Sequence, residues 1–513
     1  MYLLGIDIGT TNWKVAAYTL AGKMAAQRSV AAILHDEGEG CATYDPDEVW
    51  ATVARLLREV TREIGGGDRV MGLGISSVGE AGLFIDREGK WLCRAMAWFD
   101  ARTRPQALWW EKNLGKPPIY QTTGFPLQHI GSLNKVMWIR EHWPEIYERG
   151  DKWLHLNGFL AHRLTGVAAI DYSMGSRTMA MNLDTLDWSA ELLSKAGIAP
   201  EKLPPIVSGC QVLGNVTRKA AEETGLSTRA IVVAGGYDHL CGAFGAGCFM
   251  SGSVLDSTGT SEVALVAFDQ PVRNERLLNC AVATGAQTAR NSYYLAGILP
   301  ASGAVIEWLR ELLSDTPSNG ESTKIYHQMI LEAQAVPMGS EGMLILPHLR
   351  GSVTPVEDAC SRAAIVGARA YHKRGHLIRA AFESLSYDLR LNLEVIQEHA
   401  SVKVTNMKVT GGGAKNEFWL QIKADITGLP IEIPACGDAT TLGLAMLAGI
   451  GAGLYADETD VLHQVYQRRK VIEPNPETAK IYNQIYQELY KPLYSNFAQH
   501  YQRLSVLFPE GKQ

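Results

Sequence analysis

The chain has 513 residues, 46% of them hydrophobic and 20% charged, which is the composition of a globular protein of about two to four domains. Its formal net charge is −6, and this acidic balance argues against nucleic acid or a membrane surface as a partner, because both attract basic surfaces. The eight cysteines include no CxxC pair, which argues against a zinc site, and neither a signal peptide nor an apolar run of ~18 residues is present, so we expect a cytoplasmic protein.

The first 76 residues predict three strands, a helix and a fourth strand. Apolar runs over 2–8, 13–20 and 24–33 are separated by tight turns, which predicts an antiparallel meander. An Asp cap followed by an early proline predicts a helix over 45–64, and the run over 70–76 predicts a buried strand. Three strands, a helix and a strand are typical of an α/β domain with a mixed sheet.

The second half of the chain opens like the first. The segment 253–261 combines an apolar strand, an Asp and a Gly/Thr-rich turn, and a second strand follows over 263–268. This short internal repeat suggests two related domains that face each other. The glycine-rich stretch 242–252 is the expected crossover between them, and the tail 477–507 predicts one or two closing helices.

The segment Asp7–Asn12 (DIGTTN) has the residues of a phosphate-binding turn. Glycine allows backbone N–H groups and hydroxyls to approach phosphate oxygens closely, and a carboxylate at a strand end can hold Mg²⁺. An ordinary hairpin turn explains the same residues about as well.

A second segment, Ala234–His239, delivers one carboxylate at a glycine-flanked turn after an apolar strand. Asp238 could accept a proton from a hydroxyl that attacks a γ-phosphate. It could also cap the helix that begins near His239, and the two roles are compatible. We expect His239 itself to be structural.

Two further segments are rich in glycine. Asp256–Ser261 (DSTGTS) is the second-half copy of the first turn, so two hydroxyl-rich turns could hold a triphosphate from both sides. Val409–Asn416 (VTGGGAKN) runs from a strand through three glycines into a helix, where backbone and helix N-terminus can approach a nucleotide. It is not the GxGxxG fingerprint of dinucleotide-binding proteins, which argues against a dehydrogenase.

In this order and spacing the four segments resemble the FGGY carbohydrate kinases, which include xylulokinase, ribulokinase, gluconate kinase and glycerol kinase. The resemblance covers essentially the whole chain and continues in the segments Gly124–Pro126, Ser132–Ile139, Arg163–Gly166, Asp171–Ser173, Ser176–Thr178, His376–Glu383 and Gly437–Gly453. It implies two actin/hexokinase-like (ribonuclease H-like) α/β domains, with mixed sheets flanked by helices and a cleft between them. The implied domains are 1–247, on the sugar side with the catalytic Asp, and 248–513, on the ATP side.

The resemblance also assigns roles by matched position. Asp238 would be the general base, and Asp7 with Asp238 would hold Mg²⁺. The ATP-binding residues would be Thr10, Thr11, Asn12, Lys14, Thr258, Gly259, Thr260, Gly412, Gly413 and Asn416. ATP and Mg²⁺ are therefore the expected cofactors, and a homodimer is an expectation of the resemblance alone.

The chain departs from its relatives in the segment that follows the strand over 70–76. Xylulokinases read Gly-Gln-Met-His-Gly there and glycerol kinases Asn-Gln-Arg-Glu, whereas this chain reads Ser77–Gly82 (SVGEAG). Glu80 would accept hydrogen bonds from sugar hydroxyls, with Gly79 in the place of an Arg. A solvent-facing Glu in a turn is the alternative.

The segment Trp98–Arg102 and the residue Tyr237 are also expected to shape the acceptor pocket. Trp98, Asp100 and Arg102 resemble the family's Trp-x-Asp-x-Arg segment, although a structural ion pair between Asp100 and Arg102 is equally compatible with the sequence. Tyr237 stands where many relatives have Gly, and it would stack on the acceptor, hydrogen-bond it or only pack.

The predicted function is ATP-dependent phosphorylation of a small sugar, with a ketopentose such as xylulose as the leading acceptor. A ketohexose, a polyol or a sugar acid remains open because of the departures around Glu80. The alternatives are an actin- or chaperone-like ATPase, which shares the two turns but not the 124–138 segment, and a relative that binds sugar without catalysis.

Overall fold

The computed structural model describes residues 1–289, 292–313 and 322–508. Its two large sheets have seven strands each, here numbered β1–β14 in chain order. The first sheet contains β1 (Tyr2–Ile8), β2 (Asn12–Thr19), β3 (Met24–Ala31), β4 (Val70–Ser77), β5 (Val212–Asn215), β6 (Ile231–Val233) and β7 (Gly236–Tyr237). The second contains β8 (Ser253–Thr258), β9 (Glu262–Phe268), β10 (Ala283–Ala286), β11 (Tyr293–Leu299), β12 (Asn406–Gly411), β13 (Ile431–Pro434) and β14 (Arg468–Ile472).

Helices cover both sheets. Those up to the end of the first sheet are α1 (Pro46–Glu63), α2 (Arg104–Asn113), α3 (Lys116–Thr123), α4 (Ser132–His142), α5 (Pro144–Arg149), α6 (Leu156–Thr165), α7 (Tyr172–Ser176), α8 (Ala190–Ala196), α9 (Arg218–Thr224) and α10 (Asp238–Gly245). Those that follow are α11 (Glu275–Asn279), α12 (Gly303–Leu313), α13 (Ser322–Gln334), α14 (Arg374–Ala400), α15 (Glu417–Thr427), α16 (Ala439–Gly451), α17 (Glu458–Val465), α18 (Pro476–Ile485) and α19 (Leu493–Leu507).

Four smaller sheets lie outside the two large ones in the described part of the chain, three of them in the first half and one in the second. A five-stranded sheet joins His35–Gly38, Cys41–Tyr44, Ala95–Met96, Gly82–Ile85 and Lys152–His155. Three two-stranded sheets pair Ile170–Asp171 with Ile206–Val207, Met181–Asn182 with Asp187–Trp188, and Leu344–Leu346 with Ala364–Val366. The sequence did not predict these short strands.

The predicted opening of the chain is confirmed. β1 pairs antiparallel with β2, β2 pairs antiparallel with β3, and β1 pairs parallel with β4. Asp45 caps α1 by accepting hydrogen bonds from the backbone N–H groups of Asp47 and Glu48. The apolar stripe of α1, formed by Val49, Val53 and Leu57, is fully buried, and each such side chain contributes about 1.5–3 kcal/mol.

The predicted internal repeat is confirmed by the topology of the second sheet. In the first half the neighbouring strands run β3–β2–β1–β4–β6, and in the second half they run β11–β9–β8–β12–β13. β1 pairs antiparallel with β2 and parallel with β4, and in the same way β8 pairs antiparallel with β9 and parallel with β12. The fold is thus a pair of mixed-sheet α/β domains of the actin/hexokinase-like type, as predicted.

Helix α16 belongs to the second half of the chain but packs on the first sheet. A Cβ atom added at Gly5 would lie 2.1 Å from the backbone oxygen of Thr441, and one at Gly245 would lie 2.0 Å from that of Ala439. Glycine at these positions therefore lets α16 approach β1 and α10 closely. The crossover expected over 242–252 is shorter than predicted, because α10 continues to Gly245. The domain boundary at residues 247 and 248 stays a prediction.

Candidate active site in the cleft

The strands on either side of the first turn and the N-termini of two helices meet around one cavity of about 450 Å³. Asp7 lies in β1, Asp238 is the first residue of α10, and Asp438 is the N-cap of α16. Lys14 of β2 also lines this cavity, which we call the cleft cavity. Because helix N-termini carry partial positive charge and free N–H groups, two of them at one cavity favour an anion such as phosphate.

Lys14 lies between two carboxylates. Its Nζ is 2.8 Å from Oδ2 of Asp438 and 3.9 Å from Oδ2 of Asp7. Ser76, at the end of β4, donates a hydrogen bond of 2.8 Å to Asp7. Asp438 was not among the predicted site residues, and its contact with Lys14 spans 424 positions of the chain.

Burial and charge oppose the ionisation of both acids. Burial and the nearby carboxylate of Asp238 raise the pKa of Asp7 to about 7, although Lys14 acts in the opposite direction. Burial also raises the pKa of Asp238 to about 7, against the hydrogen bond of 2.7 Å that it accepts from the backbone N–H of His239. An acid with a pKa near neutrality is suited to accept and release a proton at physiological pH.

The remaining predicted residues of the first turn do not line the cleft cavity and lie at the surface of the protein. The N–H of Gly9 donates to the backbone oxygen of Asn12 at 3.1 Å and closes the turn. Thr10 and Thr11 are exposed, and Asn12 is half-buried. Their hydroxyl and amide groups are therefore accessible at the strand ends that carry Asp7 and Lys14.

The second turn lines a larger cavity of about 830 Å³, which we call the nucleotide cavity. The turn residues Thr258, Gly259 and Thr260 face the glycine-rich segment that was predicted to bind the adenosine. That segment contributes Gly412, Gly413, Lys415 and Asn416 to the lining. Gly412 and Lys415 also line the cleft cavity, so the two cavities adjoin there.

Glycines bring the two turns of the second half together. Gly411 has a φ of +84°, and a Cβ there would lie 2.3 Å from the backbone oxygen of Thr258. A Cβ at Gly413 would lie 2.7 Å from the Thr258 side chain. Asn416 has a structural role as well, because its side chain caps α15 by accepting the N–H of Trp419 at 3.2 Å.

Glu80 does not face solvent, so the sequence-based alternative of an exposed Glu is wrong. It is 2% exposed, has a φ of +58°, and its Oε1 lies 2.5 Å from Nη2 of Arg177. Burial raises the pKa of Glu80, while Arg177 opposes that shift. Arg177 lies in a segment that resembles the family, but the sequence predicts no role for it, because nothing in the sequence links it to a residue 97 positions earlier.

Arg177 connects Glu80 with the residue that precedes Asp238. Its guanidinium carbon lies 4.7 Å from the ring centre of Phe125 and 5.1 Å from that of Tyr237. A Cβ at Gly79 would lie 3.2 Å from the Tyr237 ring and 3.4 Å from Nε of Arg177. Gly79 therefore leaves room for both side chains, and Tyr237 packs on a cation.

Asp100 and Arg102 form the structural ion pair that the sequence left open. Asp100 is fully buried and accepts hydrogen bonds from Nε and Nη2 of Arg102 at 2.7 and 2.9 Å and from the N–H of Ala42 at 3.0 Å. Arg102 also donates to Glu37 at 2.8 Å. Trp98 packs edge-to-face on a neighbouring Phe, with its carbonyl 3.2 Å from Nζ of Lys135.

Another group of possible metal ligands lines neither cavity. Ligand atoms of Glu341, His372 and His376 lie within 4.8 Å of one another. However, Nδ1 of His372 and of His376 each accepts a backbone N–H, from Arg369 at 3.1 Å and from Lys373 at 3.0 Å. In each neutral ring the proton is then on Nε2, so Nε2 has no lone pair to offer a metal. A metal-bound histidine usually donates a hydrogen bond from the nitrogen that does not bind the metal, whereas here that nitrogen accepts one. The arrangement does not fit a metal.

This arrangement, in which two mixed-sheet domains each carry a Gly/Thr-rich turn beside an acidic cleft, is typical of a phosphotransferase of the sugar-kinase type. The chain belongs to the FGGY family of carbohydrate kinases, whose N-terminal domain matches residues 2–245 and whose C-terminal domain matches residues 255–452. This membership sets aside the actin- or chaperone-like ATPase.

Relatives of several named activities cover nearly the whole chain. The xylulose kinase of Bacillus subtilis is 28% identical over 98% of each chain. The gluconokinase of B. subtilis is 28% identical over 89% of this chain and 87% of its own. Among solved structures, the xylulose kinase from Rhodospirillum rubrum has a TM-score of 0.89 at 25% identity, with 98% of this chain and 100% of its own covered.

None of the helices within the described ranges is long and apolar enough to cross a membrane.

Proposed function

We propose that the chain transfers the γ-phosphoryl group of ATP to a hydroxyl of a small uncharged sugar, and that a ketopentose such as xylulose is its acceptor. One observation carries the proposal. Asp7, Lys14 and Asp238 converge at the N-termini of α10 and α16, in a cavity that adjoins the nucleotide cavity. The family and its xylulose kinase relatives support the same reaction.

ATP would lie across the two cavities. The nucleotide cavity has apolar walls, including Trp308, Phe382 and Trp419, that suit a purine. The phosphates would then pass Gly412 and Lys415 to reach the cleft cavity, where Lys14 and Ser257 lie. The two helix N-termini and Lys14 would compensate their negative charge.

In the transfer step, an acceptor hydroxyl oxygen attacks the γ-phosphorus and the bond to the leaving ADP oxygen breaks. The hydroxyl proton passes to the carboxylate of Asp238. Asp7 and Asp238 fit Mg²⁺, because their carboxylates repel each other and a hard cation prefers oxygen ligands. When bound, Mg²⁺ would supply charge neutralisation at the phosphates.

The charges beside Asp238 favour an acceptor without a carboxylate. Binding a sugar acid would require a cation that protein groups do not already engage. Arg177 is paired with Glu80, Lys14 is paired with Asp438, and Nζ of Lys135 donates to the carbonyls of Trp98 and Ile130. The other two cations of the cleft cavity, Lys415 and Arg469, lie at the glycine-rich segment, where ATP would bind. This arrangement supports a ketose or polyol over an aldonic acid.

A matched panel of acceptors tests the proposal. The purified protein, ATP and Mg²⁺ would be incubated with xylulose, xylitol, xylonate, a ketohexose and gluconate, and ADP release would be followed with coupling enzymes. We expect one uncharged acceptor to exceed the acids in kcat/KM by about 100-fold or more. The reason is that the carboxylate of an acid would be buried without a cation to pair with it.

The variant Glu80→Gln provides the internal comparison. It keeps the shape of the side chain but removes the counterion of Arg177. The acceptor preference of the enzyme should therefore shift toward the sugar acid with the same number of carbons as the preferred neutral sugar. A wild-type enzyme that prefers xylonate or gluconate to every neutral acceptor would contradict the proposed acceptor class.

A further inference from the structure

The β8–β9 hairpin places three polar side chains on the face that points away from solvent. Asp256 and Thr258 are two positions apart in β8 and so point to the same side. Thr258 lies opposite Glu262 in the register of the hairpin. All three are buried, and Asp256 and Glu262 have no exposed surface. Two carboxylates are thus enclosed directly beneath the second turn.

Lys423 of α15 is the cation that faces them. It is fully buried, and its Nζ lies 2.5 Å from Asp256, 3.0 Å from the Thr258 hydroxyl and 3.1 Å from Glu262. The Thr258 hydroxyl also donates to Asp256 at 3.0 Å. We call Lys423, Asp256 and Glu262 the buried ionic triad.

The triad connects the elements that line the nucleotide cavity. Ser302 donates to Glu262 at 2.7 Å, and the backbone N–H groups of Ser302 and Gly303 bond the carbonyls of Thr260 and Gly259. Nζ of Lys423 also lies 4.4 Å from the ring centre of Trp419, a wall of the same cavity. A shift of Lys423 would therefore move the turn, its neighbouring loop and the wall together.

Lys14 of β2, the lysine of the cleft cavity, differs from Lys423 of α15 in its exposure. Lys14 has 29% of its side chain exposed and lines the cleft cavity, where a ligand can reach it. Lys423 has none exposed, and neither it nor Asp256 lines the cleft cavity or the nucleotide cavity. The Thr258 hydroxyl is engaged by Lys423 and Asp256, so the accessible hydroxyl of the turn Thr258–Thr260 is that of Thr260, which is exposed.

We propose that Lys423, with Asp256 and Glu262 as its counterions, is a positioning residue for the nucleotide: it fixes the turn Thr258–Thr260 in the conformation that receives the phosphates of ATP. The inference rests on the proposed placement of ATP in the nucleotide cavity. Charged groups cost much free energy to bury and are tolerated when they are paired and hydrogen-bonded, as these are. Removal of the charges should therefore loosen the turn rather than alter the acceptor site.

The test is a charge-free version of the triad, Lys423→Met/Asp256→Asn/Glu262→Gln, which keeps the side-chain sizes and leaves no unpaired charge. ADP binding in the presence of Mg²⁺ would be measured by calorimetry, and the KM values for ATP and acceptor by the coupled assay. We expect the Kd of ADP and the KM of ATP to rise at least ~10-fold, with the acceptor KM at saturating ATP within about twofold of wild type.

A matched control removes another buried ion pair of the second half. Arg379 and Glu383 of α14 lie 2.7 Å apart and line neither cavity. Arg379→Met/Glu383→Gln should lower the melting temperature without raising the Kd of ADP, since it does not touch the turn. The single variant Asp256→Asn, which keeps the acceptor for Thr258, provides a milder form of the test and should weaken ADP binding at least ~3-fold.

The outcomes separate the two proposals. Wild-type protein that fails to bind ADP would overturn the proposed placement of the nucleotide. Wild type that binds ADP, together with an Asp256→Asn or charge-free variant that binds it equally well, would overturn the positioning role of Lys423.

Discussion

The surroundings of Asp238 disfavour its ionised form and at the same time suit it to accept a proton. It is half-buried near Asp7, and the environment that favours its protonated form also makes it a proton acceptor that works near neutral pH. The sequence predicted Asp7 and Asp238 from the chemistry of glycine-flanked turns. It did not reveal Asp438, Arg177 or Lys423, because each owes its importance to a partner about 100 or more positions away in the chain.

The raised pKa of Asp238 predicts how stability depends on pH. The ordinary value is 3.8 and the value in the folded protein is about 7, so folding favours the protonated acid. Its contribution to stability is complete at low pH and is lost as the pH rises through about 7. Asp238→Asn, which cannot ionise, should therefore melt at about the wild-type temperature at low pH and at least ~2 °C higher at pH 8.

Melting curves of both proteins between pH 4.5 and 8, without nucleotide, measure this difference. Asp269→Asn is the control, since Asp269 is exposed. A gap between Asp238→Asn and wild type that stays constant, or narrows as the pH rises, would show that Asp238 is ionised throughout.

At the scale of elements, the site depends on how closely α10 and α16 approach each other. Both helices begin at the cleft, and the position of Asp238 relative to Asp438 is set by their crossing at glycines. The sequence predicted the meander, α1 and the repeat well, because local periodicity and caps determine them. It did not predict that α16 would cross to the first sheet, since that depends on backbone contacts between distant glycines.

Two glycines of α10 test this crossing. A Cβ at Gly245 would lie 2.0 Å from the backbone oxygen of Ala439, whereas one at Gly242 would lie 3.2 Å from the movable hydroxyl of Thr440. Gly245→Ala should therefore destabilise the protein by about 1–3 kcal/mol, as overpacking does, and Gly242→Ala by less. Thermal unfolding of the two variants side by side gives the comparison, and equal melting temperatures would contradict the close crossing.

At the scale of the whole molecule, two copies of one topology face each other, and the copies have diverged. In the first half, Asp7 and Lys14 remain accessible to a ligand at the cleft. In the second half, Asp256 and Lys423 are enclosed beneath the turn. The repeat itself was visible in the sequence, but this difference in burial was not, because it arises from the packing of α15 against the β8–β9 hairpin.

In the proposed reaction, phosphate reaches a sugar hydroxyl and not water. Phosphorus NMR of a mixture of protein, Mg²⁺, ATP and xylulose distinguishes the two products, with Asp238→Ala as the comparison. For the wild type we expect a sugar phosphomonoester that appears in step with ADP. For Asp238→Ala we expect retained ADP binding and turnover lower by about three orders of magnitude or more. Release of inorganic phosphate alone, or a phosphomonoester formed equally fast by Asp238→Ala, would contradict the proposed reaction.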